Sequence, residues 1–159
     1  MKNIIFTIVL VTALVAGCEP SVQISFCADR EEGVYYYAPD FGEAAGDTSI
    51  YFSREDLVYL PFSTEYGFAR GHTEYGMITV DQFFSKMGCD TVSFFFFSKD
   101  IVDSNSWEKI VEDYMILQRY DIGKGDLLLT KGVLYFPPTK EMENINMWPP
   151  YGTYDEYVH

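Results

Sequence analysis

Residues 90–98 read DTVSFFFFS, and four consecutive phenylalanines behind a β-branched pair leave this chain few ways to fold. Neighbouring side chains of a strand point to opposite faces of its sheet, so a run of four needs cover on both faces. Left at a surface, the same segment would pair with copies of itself. The run therefore predicts a central strand with a packed layer on either side. The chain has the means to supply those layers: Phe and Tyr number 13 each, and aromatic residues make up 18% of the sequence. That much apolar surface excludes a disordered acidic tail.

The rest of the pattern is mostly short strands. SVQISFCA (21–28) alternates Val22, Ile24 and Phe26 with polar residues, the mark of a half-buried strand. A charged turn, DREEG, leads to VYYYA (34–38), so 22–38 predicts an opening hairpin. PDFGEAAGD (39–47) has the composition of an exposed loop, and TSIYFS (48–53) and DLVYLPF (56–62) predict two more strands. STEYGFARGHTEYG (63–76), with three glycines and His72, predicts a long loop. MITV (77–80) is β-prone, and Asp81 can cap a helical turn through Met87.

Asn105 or Ser106 can cap the clearest helix, with Glu108 three residues after Asn105 and Trp107, Ile110, Val111 and Tyr114 on one face. MILQRYDI (115–122) drifts to strand-like alternation, and GKGDLLLTKG (123–132) reads as a loop with one helical turn. VLYF (133–136) is a last strand, stopped by Pro137 and Pro138, before a tail from 139 with a short helical stretch and a Pro- and Tyr-rich end. These elements predict a mostly β domain: an Ig-like β-sandwich of about seven or eight short strands with one crossover helix near 106–114. An α+β sheet covered by that helix is the alternative.

The N-terminus carries an address. Lys2 precedes an apolar run from Ile4 to Ala16, too short for the roughly 20 residues that a bilayer span needs. Val15-Ala16-Gly17-Cys18 then matches a bacterial lipobox, in which small residues let a peptidase cut just before a cysteine whose thiol takes up diacylglycerol. Residues 1–17 are thus expected to be a signal peptide, Cys18 the lipidated mature terminus, 18–21 a short linker and 22–159 one globular domain. Two or more acyl chains make a stable anchor. No aspartate follows Cys18 to hold the protein at an inner membrane, so the outer membrane is the expected location, on a face the sequence leaves open.

The net charge of −13 repels phosphate backbones, so nucleic acid is an unsuitable partner, while a basic protein suits it. Beyond Cys18, Cys27 and Cys89 can form a disulfide in an oxidising envelope or remain buried free thiols. Two thiols and two histidines lack the spacing of a metal site, and capping explains Asn105 and Glu108 beside Asp100 and Asp103 without calcium. No cofactor is expected. No Gly-x-Ser-x-Gly elbow is present, and His72 reads as a surface histidine. Glu31 and Glu32, like Glu55 and Asp56, are adjacent and so splay apart. Trp148, Tyr151, Tyr154 and Tyr157 lie in a tail that can either present an aromatic surface to a glycan or fold back as packing.

SFFFFSKDIVDSNSWEKIVEDYMILQRYDI, followed by PPTKEMENINMWPPYG, resembles the C-terminal half of small uncharacterised lipoproteins from gut Bacteroidales. The matched positions are Ser106, Trp107, Glu108, Ile116, Leu117, Arg119, Tyr120, Asp121 and Pro149 to Tyr151, within 90–152; Gly123 and Gly125 depart from the pattern. The resemblance implies a cell-envelope domain and no activity. The expected function is a non-catalytic binding or structural accessory lipoprotein contacting a glycan or an envelope protein. The alternative is an acidic periplasmic immunity protein that neutralises a basic toxin. An enzyme is not expected.

Overall fold

In the computed structural model, the described residues are 21–31, 33–43, 45–64, 68–73 and 75–153. Cys18 and the signal peptide, like Tyr154 and Tyr157, lie outside them. The strands are β1 (Ser21–Val22), β2 (Ser25–Ala28), β3 (Val34–Tyr37), β4 (Val58–Leu60), β5 (Phe62–Ser63), β6 (Phe68–His72), β7 (Ile78–Thr79), β8 (Thr91–Ser98), β9 (Gln118–Gly123), β10 (Val133–Phe136) and β11 (Asn146–Trp148). The α-helices are α1 (Val80–Met87), α2 (Lys99–Ser104), α3 (Trp107–Glu112) and α4 (Lys124–Leu129). The fold is mostly β and sandwich-like, with more and shorter strands than the seven or eight expected.

A five-stranded sheet runs β11-β9-β8-β3-β4 and a four-stranded sheet runs β10-β2-β6-β5; β1 and β7 form a separate pair. The phenylalanine run is β8, the middle strand of the larger sheet, and Phe94 to Phe97 are all fully buried. The pleat divides them as the sequence demands. Val92, Phe94 and Phe96 face the space between the sheets, with Phe26, Tyr36, Tyr120 and Phe136. Phe95 and Phe97 face the other way, into a second cluster with Ile50, Phe52, Val102 and Ile110. Each buried ring contributes about 2–3 kcal/mol of transfer free energy, so both clusters hold the sheet in place. The inner cluster is closed at one end by α1 through Phe83, Phe84 and Met87.

The opening hairpin is not formed. β2 takes an interior place between β10 and β6, while β3 pairs with β8 and β4 in the other sheet. The 29–33 turn is therefore a crossing between layers, favoured because both strands have apolar side chains to bury. Gly33 permits the crossing: its φ is +75°, and a Cβ there would stand 2.6 Å from the Leu60 carbonyl oxygen. Two further expectations are corrected. Residues 48–53 form no strand; Ile50 and Phe52 instead plug the outer face of the larger sheet. Within 63–76 a strand, β6, replaces much of the expected loop, because β2 needs a partner on its second edge.

The expected helix is α3, and Ser106 is its cap, accepting the Lys109 N–H at 3.3 Å. Residues 124–129 are helical despite Gly125, since Asp126 accepts the Gly123 N–H at 2.9 Å and fixes the first turn.

The edge of the larger sheet is closed by polar chemistry. Asp121, 5% exposed, accepts from Ser93 Oγ and Arg119 Nε at 2.9 Å through one oxygen, and from Arg119 and Asn146 at 3.1 and 2.9 Å through the other. Arg119 also donates to the Tyr114 hydroxyl, which itself donates to the Thr48 carbonyl at 2.6 Å. Gln118 donates to the Pro149 carbonyl at 2.9 Å, so the segment after 139 folds back and completes the sheet as β11.

Candidate functional site

The cleft with the most directed chemistry opens where β3 ends. Tyr36 and Tyr37 leave the strand on opposite faces, and the chain continues through Ala38 and Pro39 into the acidic 39–47 loop. Glu43 holds that loop in shape. One of its carboxylate oxygens accepts from the Tyr37 hydroxyl at 2.6 Å and from the Asp40 N–H at 3.0 Å. Tyr75 donates to the Pro39 carbonyl from the opposite wall, and its ring packs on Phe41 and Phe83, with centroids 5.0 and 5.3 Å away. Asp56 and Val58 supply a third wall next to buried Thr73. The space enclosed is about 380 Å³.

Electrostatics give the cleft one sign. Asp40, Glu43 and Asp56 are exposed at its rim, and none of the described residues that line it is a lysine, arginine or histidine. Burial pushes the Tyr37 phenol well above its ordinary range, and the bond to Glu43 adds to the effect. Burial likewise raises Tyr75, with the charges of Asp40 and Glu43 contributing. Both hydroxyls keep their protons and act as donors within the wall. The arrangement therefore offers exposed carboxylate acceptors over buried tyrosine rings, which suits hydroxyl-rich or cationic groups.

A second cleft, about 480 Å³, lies on the smaller sheet between Cys27, Asp29, Arg70, Tyr135, Pro137 and Thr139. Its charges are mixed. Burial raises the Cys27 thiol above its ordinary value, against the pull of Arg70, so the thiolate is disfavoured. Thr139 Oγ1 is buried there without a hydrogen-bond partner.

The residues singled out in the sequence are scattered. Cys27 and Cys89 are free thiols: Cys27 sits in β2 at the second cleft, whereas Cys89 follows α1 and donates to the Thr91 carbonyl at 3.1 Å. The disulfide alternative is not what the structure holds, because the two cysteines belong to different parts of the fold. His72 lies in β6 opposite Ser25. Asp103 is paired with Lys99 and Arg54, and Asn105 donates to the Ile101 carbonyl at 2.9 Å. No metal-holding group of three His, Cys, Asp or Glu occurs among the described residues. Trp148 lies in β11, half-buried, with its ring 5.3 Å from that of Tyr114, while Tyr151 is exposed. The other two tyrosines of that aromatic surface, Tyr154 and Tyr157, lie outside the described residues.

The acidic tyrosine cleft has a sequence signal in two readable pieces, VYYYA and the acidic loop after it. What the pattern could not supply is their meeting with Asp56 and Tyr75. Among the described residues, no helix is long and apolar enough to cross a membrane. Comparison of the chain with protein-family models, with curated proteins and with solved structures gave no match.

Proposed function

We propose that this chain is a lipoprotein of the cell envelope, held on the outer membrane through Cys18, whose domain is a non-catalytic binding or structural accessory module. The kinship with small lipoproteins of gut Bacteroidales belongs to the same proposal. The observation that carries the reading is the cleft at the end of β3, where Tyr36, Tyr37 and Tyr75 stand among Asp40, Glu43 and Asp56 with the loop geometry already fixed by Glu43. Such a surface binds by charge-assisted hydrogen bonds to its exposed carboxylates, and a glycan or an envelope protein fits it.

The three carboxylates of that cleft, Asp40, Glu43 and Asp56, favour a second reading, in which the domain neutralises a basic toxin in the periplasm. Calorimetric titration with envelope oligosaccharides and with an arginine-rich peptide separates the two. In either case the paired change Asp40→Asn and Glu43→Gln is expected to weaken binding tenfold or more, while Glu112→Gln, an exposed charge elsewhere, leaves it unchanged. Equal affinity of the wild type and the cleft variant, or turnover of a bound ligand, would overturn the proposal.

A further inference from the structure

We infer that the end of the domain formed by β1, β7, α1 and α4 is a membrane-docking face, which lies on the lipid bilayer and inserts Met77, Leu128 and Leu129 into it. The inference rests on the reading of Cys18 as the lipid anchor. From Cys18 to Ser21 there are three peptide steps, at most about 11 Å of chain. A domain of this length has a radius of gyration of about 14 Å, so the tether is shorter than the body it holds. β1 begins at Ser21 and is pinned there, with Ser21 opposite Thr79 and Val22 opposite Ile78. Whatever surrounds β1 must therefore meet the lipid head groups.

Large exposed apolar side chains are what surrounds it. Met77, 70% exposed, immediately precedes the strand that pairs with β1. On the other side Gly132 packs so closely that a Cβ would lie 2.6 Å from the Gln23 carbonyl oxygen. Three residues before that glycine, α4 ends in Leu128 and Leu129, 41% and 54% exposed. Two of the neighbouring carboxylates are engaged within the protein: Asp81 pairs with Lys124, and Asp126 caps α4; Asp90, beside Gly123, is exposed. Lys131 stands exposed beside the leucines. β2 and β10 run parallel from this end, and the exposed residues beyond their far ends are charged: Asp29, Glu31, Lys140 and Glu141. An apolar patch at the tethered end and charge at the other fits an interfacial lipid contact.

The test is photocrosslinking of the lipidated full chain in phosphatidylethanolamine–phosphatidylglycerol vesicles that contain a diazirine phospholipid, with adducts mapped by mass spectrometry. Adducts on peptides bearing Met77 and residues 127–131, at least fivefold above those bearing Glu31 or Lys140, are expected. The triple change Met77→Ser, Leu128→Ser and Leu129→Ser should abolish them while Cys18 stays acylated. Acylated Cys18 with adducts spread evenly, or confined to the residues beside it, would overturn docking and leave the anchor standing. Intact mass showing an unmodified Cys18 would remove the anchor reading, and docking with it.

Discussion

The outer face of the larger sheet is closed in two opposite ways. Over β8 and β3, Phe95, Phe97 and Tyr37 lie under Ile50, Phe52, Val102 and Ile110, an apolar cover in which shape and volume are what matter. Over β9 and β11 the outward side chains are tied together by a carboxylate, Asp121, that gathers Ser93, Arg119 and Asn146 beside the Trp148–Tyr114 ring contact. The first arrangement tolerates many sequences. The second specifies one register, because each donor must reach its oxygen. Stability comes mainly from the apolar half, and the placement of the returning segment from the polar half.

The largest expected effects test whether both faces of β8 are truly core. Phe96→Ala and Phe95→Ala should each cost about 3–5 kcal/mol in denaturant unfolding, despite facing different clusters. A cost under about 1 kcal/mol for Phe95→Ala would mean that the outer cover is loose and the two halves differ less than drawn. Next, Asp121→Ala leaves a mostly buried guanidinium without its partner and should cost about 2–3 kcal/mol. It should also speed proteolysis within 146–153, which Phe95→Ala should do only in proportion to global stability. The double change Arg119→Met with Asp121→Leu sharpens the contrast: recovered stability without recovered protection of 146–153 would separate packing from register. Tyr114→Phe, removing one hydroxyl from the network, should cost about 1 kcal/mol.

Smaller still is an alkaline effect at the cleft. Tyr37 and Tyr75 are held above the ordinary phenol value of 10.0, chiefly by burial. In that range the folded chain keeps protons that the unfolded chain releases. Their contribution is therefore complete below about pH 10 and is lost as the pH rises further. Chemical denaturation from pH 8 to 11 should show a decline that starts near pH 10 and is shallower in Tyr37→Phe.

These two halves were not equally legible. Four phenylalanines in a row dictate a strand covered on both sides, whatever the covering residues are, and β8 is that strand. The cap of α3 at Ser106 is likewise local chemistry that a short window contains. Arg119 and Asp121 were readable as a motif but not as a network, since Ser93, Asn146 and Thr48 reach them from distant parts of the chain. The hairpin expectation failed for a related reason: β2 and β3 each look like half of a pair, and only the competition for β6, β8 and β10 decides their partners. The cleft follows the same rule. Its tyrosines and acids were visible, while Asp56 and Tyr75 were brought to them by the fold.

Mapping amide chemical shifts during titration with the tightest-binding oligosaccharide or basic peptide tests the central claim most directly. Shifts concentrated at Tyr36 to Glu43, Asp56 and Thr73 to Tyr75 are the predicted result. Shifts confined to Trp148, Tyr151 and the residues after them would contradict it and assign binding to the aromatic tail instead.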